Sequence, residues 1–128
     1  MKIQTMLAIG AGGFIGAILR AYISGLVNEH VSHNIPFGTL AVNLLGSFIL
    51  GSLFAYFTYT QIFSVHLKSF LSTGMMGALT TYSTFAMESF FLINGGMYIA
   101  AVSNMLLNLF GTILMAGAGF KLFESLLK

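Results

Sequence analysis

The sequence predicts an all-α membrane protein, a bundle of four transmembrane helices with a weak point in the third. Three observations predict it. Hydrophobic residues make up 57% of the 128-residue chain and charged residues only 6%, against about 25% charged in a typical soluble domain. The mean hydropathy is +0.93. The apolar residues fall into four stretches, 3–27, 37–60, 69–93 and 97–120, each close to the roughly 20 residues a helix needs to cross the hydrocarbon core. A soluble fold of 13.8 kDa cannot cover its surface with so few polar groups. That excludes a soluble enzyme and a nucleic-acid binder, since the net charge of +2 comes with no basic cluster. The chain has no cysteine, so disulfides and thiolate metal sites are excluded as well.

The first span, 3–27, contains one charge, Arg20. It is too long for the apolar part of a signal peptide and three more spans follow, so it reads as a helix. Ala8, Gly12, Gly16, Arg20 and Ser24 recur every four residues, and Gly12–Gly16 is a pair of the kind that lets helices approach closely. Arg20 on that stripe either snorkels to the headgroups or draws an anion toward a wet mouth. Residues 28–36 (NEHVSHNIP) form a polar loop whose Pro36, the only proline, suits the start of a helix. The second span, 37–60, has no charge, but Thr39, Asn43 and Gly46 form a polar ridge along it. An unpaired amide in hydrocarbon costs several kcal/mol, so Asn43 faces protein or water.

Residues 61–68 (QIFSVHLK) read as a short amphipathic turn. The third span, 69–93, carries GALTTYSTF at 77–85, where a glycine and β-branched threonines weaken a continuous helix. Two outcomes are open there. The helix bends as hydroxyls bond back to preceding carbonyls, or it breaks and frees carbonyls that only the protein interior can satisfy. Asn94, Gly95 and Gly96 make a turn. The fourth span, 97–120, repeats the polar ridge with Asn104, Asn108 and Gly111 or Thr112, either as helix–helix glue or as a wet track. His30, His33 and His66 fall in the connections, with no closed ligand set around them.

GGFIGAILR at 12–20, GTLAVNLLG at 38–46 and GALTTYSTF at 77–85 followed by Glu88 resemble the Fluc (CrcB) family of fluoride channels, with all four spans and the motif order matching. The resemblance implies a fluoride-selective passive channel that relieves fluoride toxicity in the bacterial cytoplasmic (inner) membrane. It implies an antiparallel, dual-topology homodimer whose third helix is broken in each subunit. Gly77 and Thr80 would hold a central structural sodium ion through backbone carbonyls. Asn43, Tyr82 and Phe85 would line two fluoride pathways, and Asn108 and Thr112 fall where many members carry serine or threonine. Tyr82 stands where the family usually has phenylalanine, and Asn104 where many members carry tyrosine.

The chemistry suits fluoride. Moving a carboxylate-sized ion into a low dielectric costs on the order of 20 kcal/mol in the idealised limit, and a smaller ion costs more. Short, directed donors must replace its water, and the Asn43 and Asn108 amides and the Ser83 and Thr84 hydroxyls are such donors. The ring edges of Tyr82 and Phe85 are electropositive, and weak sites let the ion leave. Arg20 and a fixed sodium add positive potential.

An even number of spans places both termini on one side, together with Lys2, Lys68, Lys121 and Lys128, and lysines favour the cytoplasm. That imbalance leaves a heterodimer with an oppositely oriented homologue as a second possibility for the assembly. The competing function is a proton-coupled exporter of the small multidrug-resistance type, which needs an intramembrane carboxylate; Glu88 is the only candidate. A subunit that merely packs against larger membrane partners would explain the glycines but not the hydroxyls at 80–84.

Overall fold

In a computed structural model covering residues 1–128, helix α1 runs Ile3–His30 and α2 Phe37–Tyr59. The third crossing is split. Its first half, α3, joins an α-turn Val65–Ser69, a π-helical stretch Phe70–Met76 and a further α-turn Gly77–Leu79. Its second half, α4, is Ser83–Asn94. Helix α5 is Tyr98–Leu127. Each half of the third crossing is only about 20 Å long at the helical rise, so both are needed to traverse a hydrocarbon core of about 30 Å. The other three helices are long and apolar enough to cross alone.

The helix starts have local causes. Asn28 Oδ1 accepts the Gly38 N–H at 3.0 Å, satisfying a first-turn donor of α2 that has no partner within the helix. The Ser64 hydroxyl accepts the Leu67 N–H at 3.1 Å. That cap begins α3 at Val65, inside the segment expected to be a turn, and puts His66 in a helix; His30 likewise belongs to the last turn of α1. The turn after α4 closes as Met97 N–H reaches the Leu92 carbonyl at 2.8 Å, with Gly96 at φ +77°, where glycine alone is unstrained.

Of the two outcomes for the third span, the structure adopts the break. Thr80 is extended, at φ −83° and ψ 158°, and regular helix resumes at Ser83.

Packing pairs α1 with α3 and α2 with α5, and glycine sets both contacts. A Cβ on Gly12 would run into the Phe70 carbonyl, one on Gly16 into the Met75 carbonyl, and one on Gly74 would stand 2.7 Å from the Ile9 oxygen. The small-residue stripe of α1 is therefore used inside the subunit, against the π-helical stretch. In the other pair, Gly51 lies against the Ala116 carbonyl and Gly119 against that of Phe48. Only 21 of 128 residues are buried. Leu40, Val42, Ala55, Met76, Leu79, Leu92 and Ala101 are apolar, while Thr39, Asn43, Ser52, Thr81, Ser89, Asn104 and Asn108 are polar, and the rest are glycines. Large apolar side chains such as Phe14, Ile99 and Leu114 point outward. A polar interior inside an apolar exterior suits lipid as the solvent.

At the end that carries both termini, Lys68 lies 5.5 Å from the Phe57 ring centroid and Lys128 lies 5.9 Å from that of Tyr59. Tyr59 O–H also donates to Glu124. Lysines and aromatic rings at one end mark an interfacial belt.

Candidate functional site: an amide-lined cavity at the helix break

The break is held open by one side chain. Asn43 Oδ1 accepts the Thr81 N–H at 2.8 Å and Asn43 Nδ2 donates to the Thr81 carbonyl at 3.1 Å. The amide thus copies a peptide group and takes Thr81 out of helical bonding. Its second N–H donates to Asn108 Oδ1 at 2.9 Å. Asn108 Nδ2 in turn donates to the Asn104 carbonyl at 2.9 Å and to Asn104 Oδ1 at 3.1 Å. Asn104 Nδ2 donates to Ser89 Oγ at 3.0 Å. Thr112 O–H closes the ridge on the Asn108 carbonyl at 2.6 Å.

The break releases a run of carbonyls, those of Ala78 and Leu79 as well as Gly77 and Thr80. In a continuous helix the Gly77 oxygen would accept the Thr81 N–H, which goes instead to Asn43. The Thr80 oxygen would accept the Thr84 N–H, which goes instead to the Thr81 hydroxyl at 3.2 Å. Gly77 is exposed. Gly46 makes room for the break, since a Cβ there would strike the Thr80 methyl.

Beside the break lies a cavity of about 670 Å³. Among the residues singled out from sequence, Asn43, Thr80, Tyr82, Phe85, Asn108 and Thr112 line it. The Tyr82 and Phe85 rings meet edge to face, 5.5 Å between centroids and 69° apart. Outside the lining are Thr39, buried one turn before Asn43, the exposed Ser83 and Thr84, the half-buried Arg20, and Gly77. The sequence leaves the Asn43 and Asn108 amides open as helix–helix glue or as donors on a wet track; in the fold all four of their N–H bonds are directed to protein acceptors, so they act as glue and build the wall.

Thr81, one of the hydroxyls at 80–84, also lines the cavity, as do Ser47 and Ser89, which the sequence did not single out. Their signal was present in the spacing: Ser47 follows Asn43, and Ser89 follows Phe85, by one helical turn. Glu88 is not part of the lining, and Arg20 forms no ion pair with it. No group of three histidine or acidic side chains comes together.

Comparison with known proteins agrees with this architecture. The family model described as "CrcB-like protein, Camphor Resistance (CrcB)" matches residues 7–120. A protein of Sulfurimonas denitrificans named "Fluoride-specific ion channel FluC" is 65% identical over 120 residues, covering 94% of this chain and 93% of its own. Proteins of the same name from Nautilia profundicola and Campylobacter jejuni are 61% identical over the full length of both chains and 47% identical over 95% of this chain and 99% of the relative. The matched region contains all the crossings and the whole of the amide-held break, so the chain belongs to the CrcB family.

Proposed function

We propose that this chain is a fluoride-specific passive ion channel, working as an antiparallel homodimer in a bacterial cytoplasmic membrane. The observation that carries the reading is the break in the third crossing, tied open by Asn43 beside a cavity that mixes apolar side chains with amides and hydroxyls, in a chain whose family relatives are named fluoride-specific ion channels. A broken helix offers two ends of opposite polarity. Helix α3 ends in carbonyls and suits a cation, and α4 begins with N–H groups and suits an anion.

The released Gly77 and Thr80 carbonyls fit a monovalent cation such as sodium, which supplies fixed positive charge beside an anion's path. Freed carbonyls cannot face lipid, so a second copy packed over Gly77 and Tyr82 accounts for their exposure in one subunit. Along the path, Asn43, Asn108 and Thr112 form the wall, and the Tyr82 and Phe85 ring edges stabilise the anion without trapping it. Thr39, Ser83 and Thr84 extend the polar surface toward the mouths, where Arg20 concentrates anions.

The protein is not an enzyme: it transports. An exporter that exchanges protons for substrate needs an ionisable group in its cavity. Glu88, the one acidic residue away from the helix ends, lies outside the lining.

Reconstituted into liposomes loaded with fluoride or chloride, the protein is expected to release fluoride passively and almost no chloride. Phe85→Ile is expected to abolish the flux while the protein elutes as the wild type does. Glu88→Gln is expected to leave fluoride efflux largely unchanged; loss of pH-driven export of an organic cation in that variant would favour the exporter instead. Replacing sodium by a large organic cation during purification is expected to lower the melting temperature, and adding sodium back to restore it. A melting temperature indifferent to sodium would remove the ion from the account.

A further inference from the structure

Side chains of the cavity wall, with Asn104 behind them, form a hydrogen-bonded chain with a direction, and backbone groups set that direction. Asn43 is oriented by both the N–H and the carbonyl of Thr81, so an N–H is what it presents to Asn108. Asn108 is oriented by the Asn104 carbonyl, so its oxygen meets Asn43 and its Nδ2 meets Asn104 Oδ1. That turns Asn104 Nδ2 toward Ser89. Every link donates the same way, from Asn43 through Asn108 and Asn104, and the chain ends on the Ser89 oxygen.

The proton of Ser89 is left over. Ser24, Ser52, Ser72 and Thr112 each donate to the carbonyl one turn back, whereas the only hydrogen bond of the Ser89 hydroxyl is the one it accepts from Asn104. Ser89 is buried, yet it lines the cavity one turn beyond Phe85. A hydroxyl at the end of aligned bonds is polarised by them and donates more strongly. We propose that the Ser89 hydroxyl is a donor to the transported anion. Asn104 is its positioning residue, because it occupies the Ser89 oxygen as an acceptor and so directs the proton into the cavity. The inference rests on the fluoride-channel reading and adds a binding group to it: a charge-assisted O–H···F⁻ bond, short and strong for a small hard anion.

Fluoride efflux from liposomes tests it with the full-length channel. Ser89→Ala is expected to slow efflux about tenfold or more, the worth of one hydrogen bond to a charged partner, while Ser89→Thr, which keeps the hydroxyl, stays close to wild type. Asn104→Asp still accepts from Asn108 but offers Ser89 an acceptor, capturing its proton, so the same loss is expected. The double variant should then be no slower than Ser89→Ala alone. If Ser89→Ala does not fold, Ser89→Cys decides, with efflux between wild type and background as the supporting result and wild-type efflux as the contrary one. A wild type that passes fluoride alongside an equally fast Ser89→Ala overturns this inference and leaves the channel reading intact. A wild type that passes none overturns both. A double variant slower than either single removes Asn104 from the positioning role.

Discussion

Asn43 is a single side chain on which the interruption of a helix depends. Its three hydrogen bonds replace those that Thr81 would have made in a continuous coil and also orient Asn108. Asn43→Leu leaves the Thr81 N–H and carbonyl and the Asn108 oxygen without partners, each a buried loss of about 1–3 kcal/mol. A destabilisation of about 3 kcal/mol or more is expected in denaturant unfolding in detergent. A variant as stable as wild type would show that the break holds itself open. The sequence marks Asn43 and Asn108 because a bare amide in hydrocarbon is costly. It does not say what Asn43 bonds, because its partners lie 38 and 65 positions away along the chain. For the same reason the sequence leaves glue and wet track open for these amides.

At the scale of elements, the two helix pairs rest on glycine contacts with backbone, which cannot yield as a flexible side chain can. Gly16→Ala and Gly51→Ala drive a methyl into the Met75 and Ala116 carbonyls, and the expected result is a lowered melting temperature or loss of the folded peak on size exclusion. Gly25→Ala and Gly117→Ala meet nothing within 4 Å. Their expected effect is neutral, or stabilising by up to about 1 kcal/mol through helix propensity; a clear drop in stability at either position would contradict the packing described. The four apolar stretches were legible from hydropathy because crossing a bilayer dictates length and composition. The start of α3 was less so, since hydropathy does not register the Ser64 cap. The π-helical stretch Phe70–Met76 was not legible at all. It lies where Gly74 meets the glycines of α1, and a contact between distant segments leaves no local pattern.

For the molecule as a whole, the cavity and the released carbonyls come to the surface of the chain. Tyr82 is 80% exposed at the depth of the break, where an uncovered backbone has no partner in lipid. Within one subunit Gly77 has room for a side chain, the nearest atom to an added Cβ being the Ser72 oxygen at 3.7 Å. On the proposed dimer, Gly77→Leu is therefore expected to leave the chain folded and to shift its mass in detergent, by light scattering, from twice 13.8 kDa to that of one chain. An undisturbed dimer would mean that the subunits meet on another face.

The sequence by itself determined that this chain lives in a bilayer, crosses it four times and is weakest at 77–85, because those properties depend on composition and on neighbours a few residues apart. It also marked the amides and rings that surround the cavity. The tertiary structure alone decided between bend and break, since the deciding bonds join Asn43 to Thr81 across two helices. It alone set the direction of the amide chain from Asn43 to Ser89, because a hydrogen bond's polarity follows from where both partners stand in space.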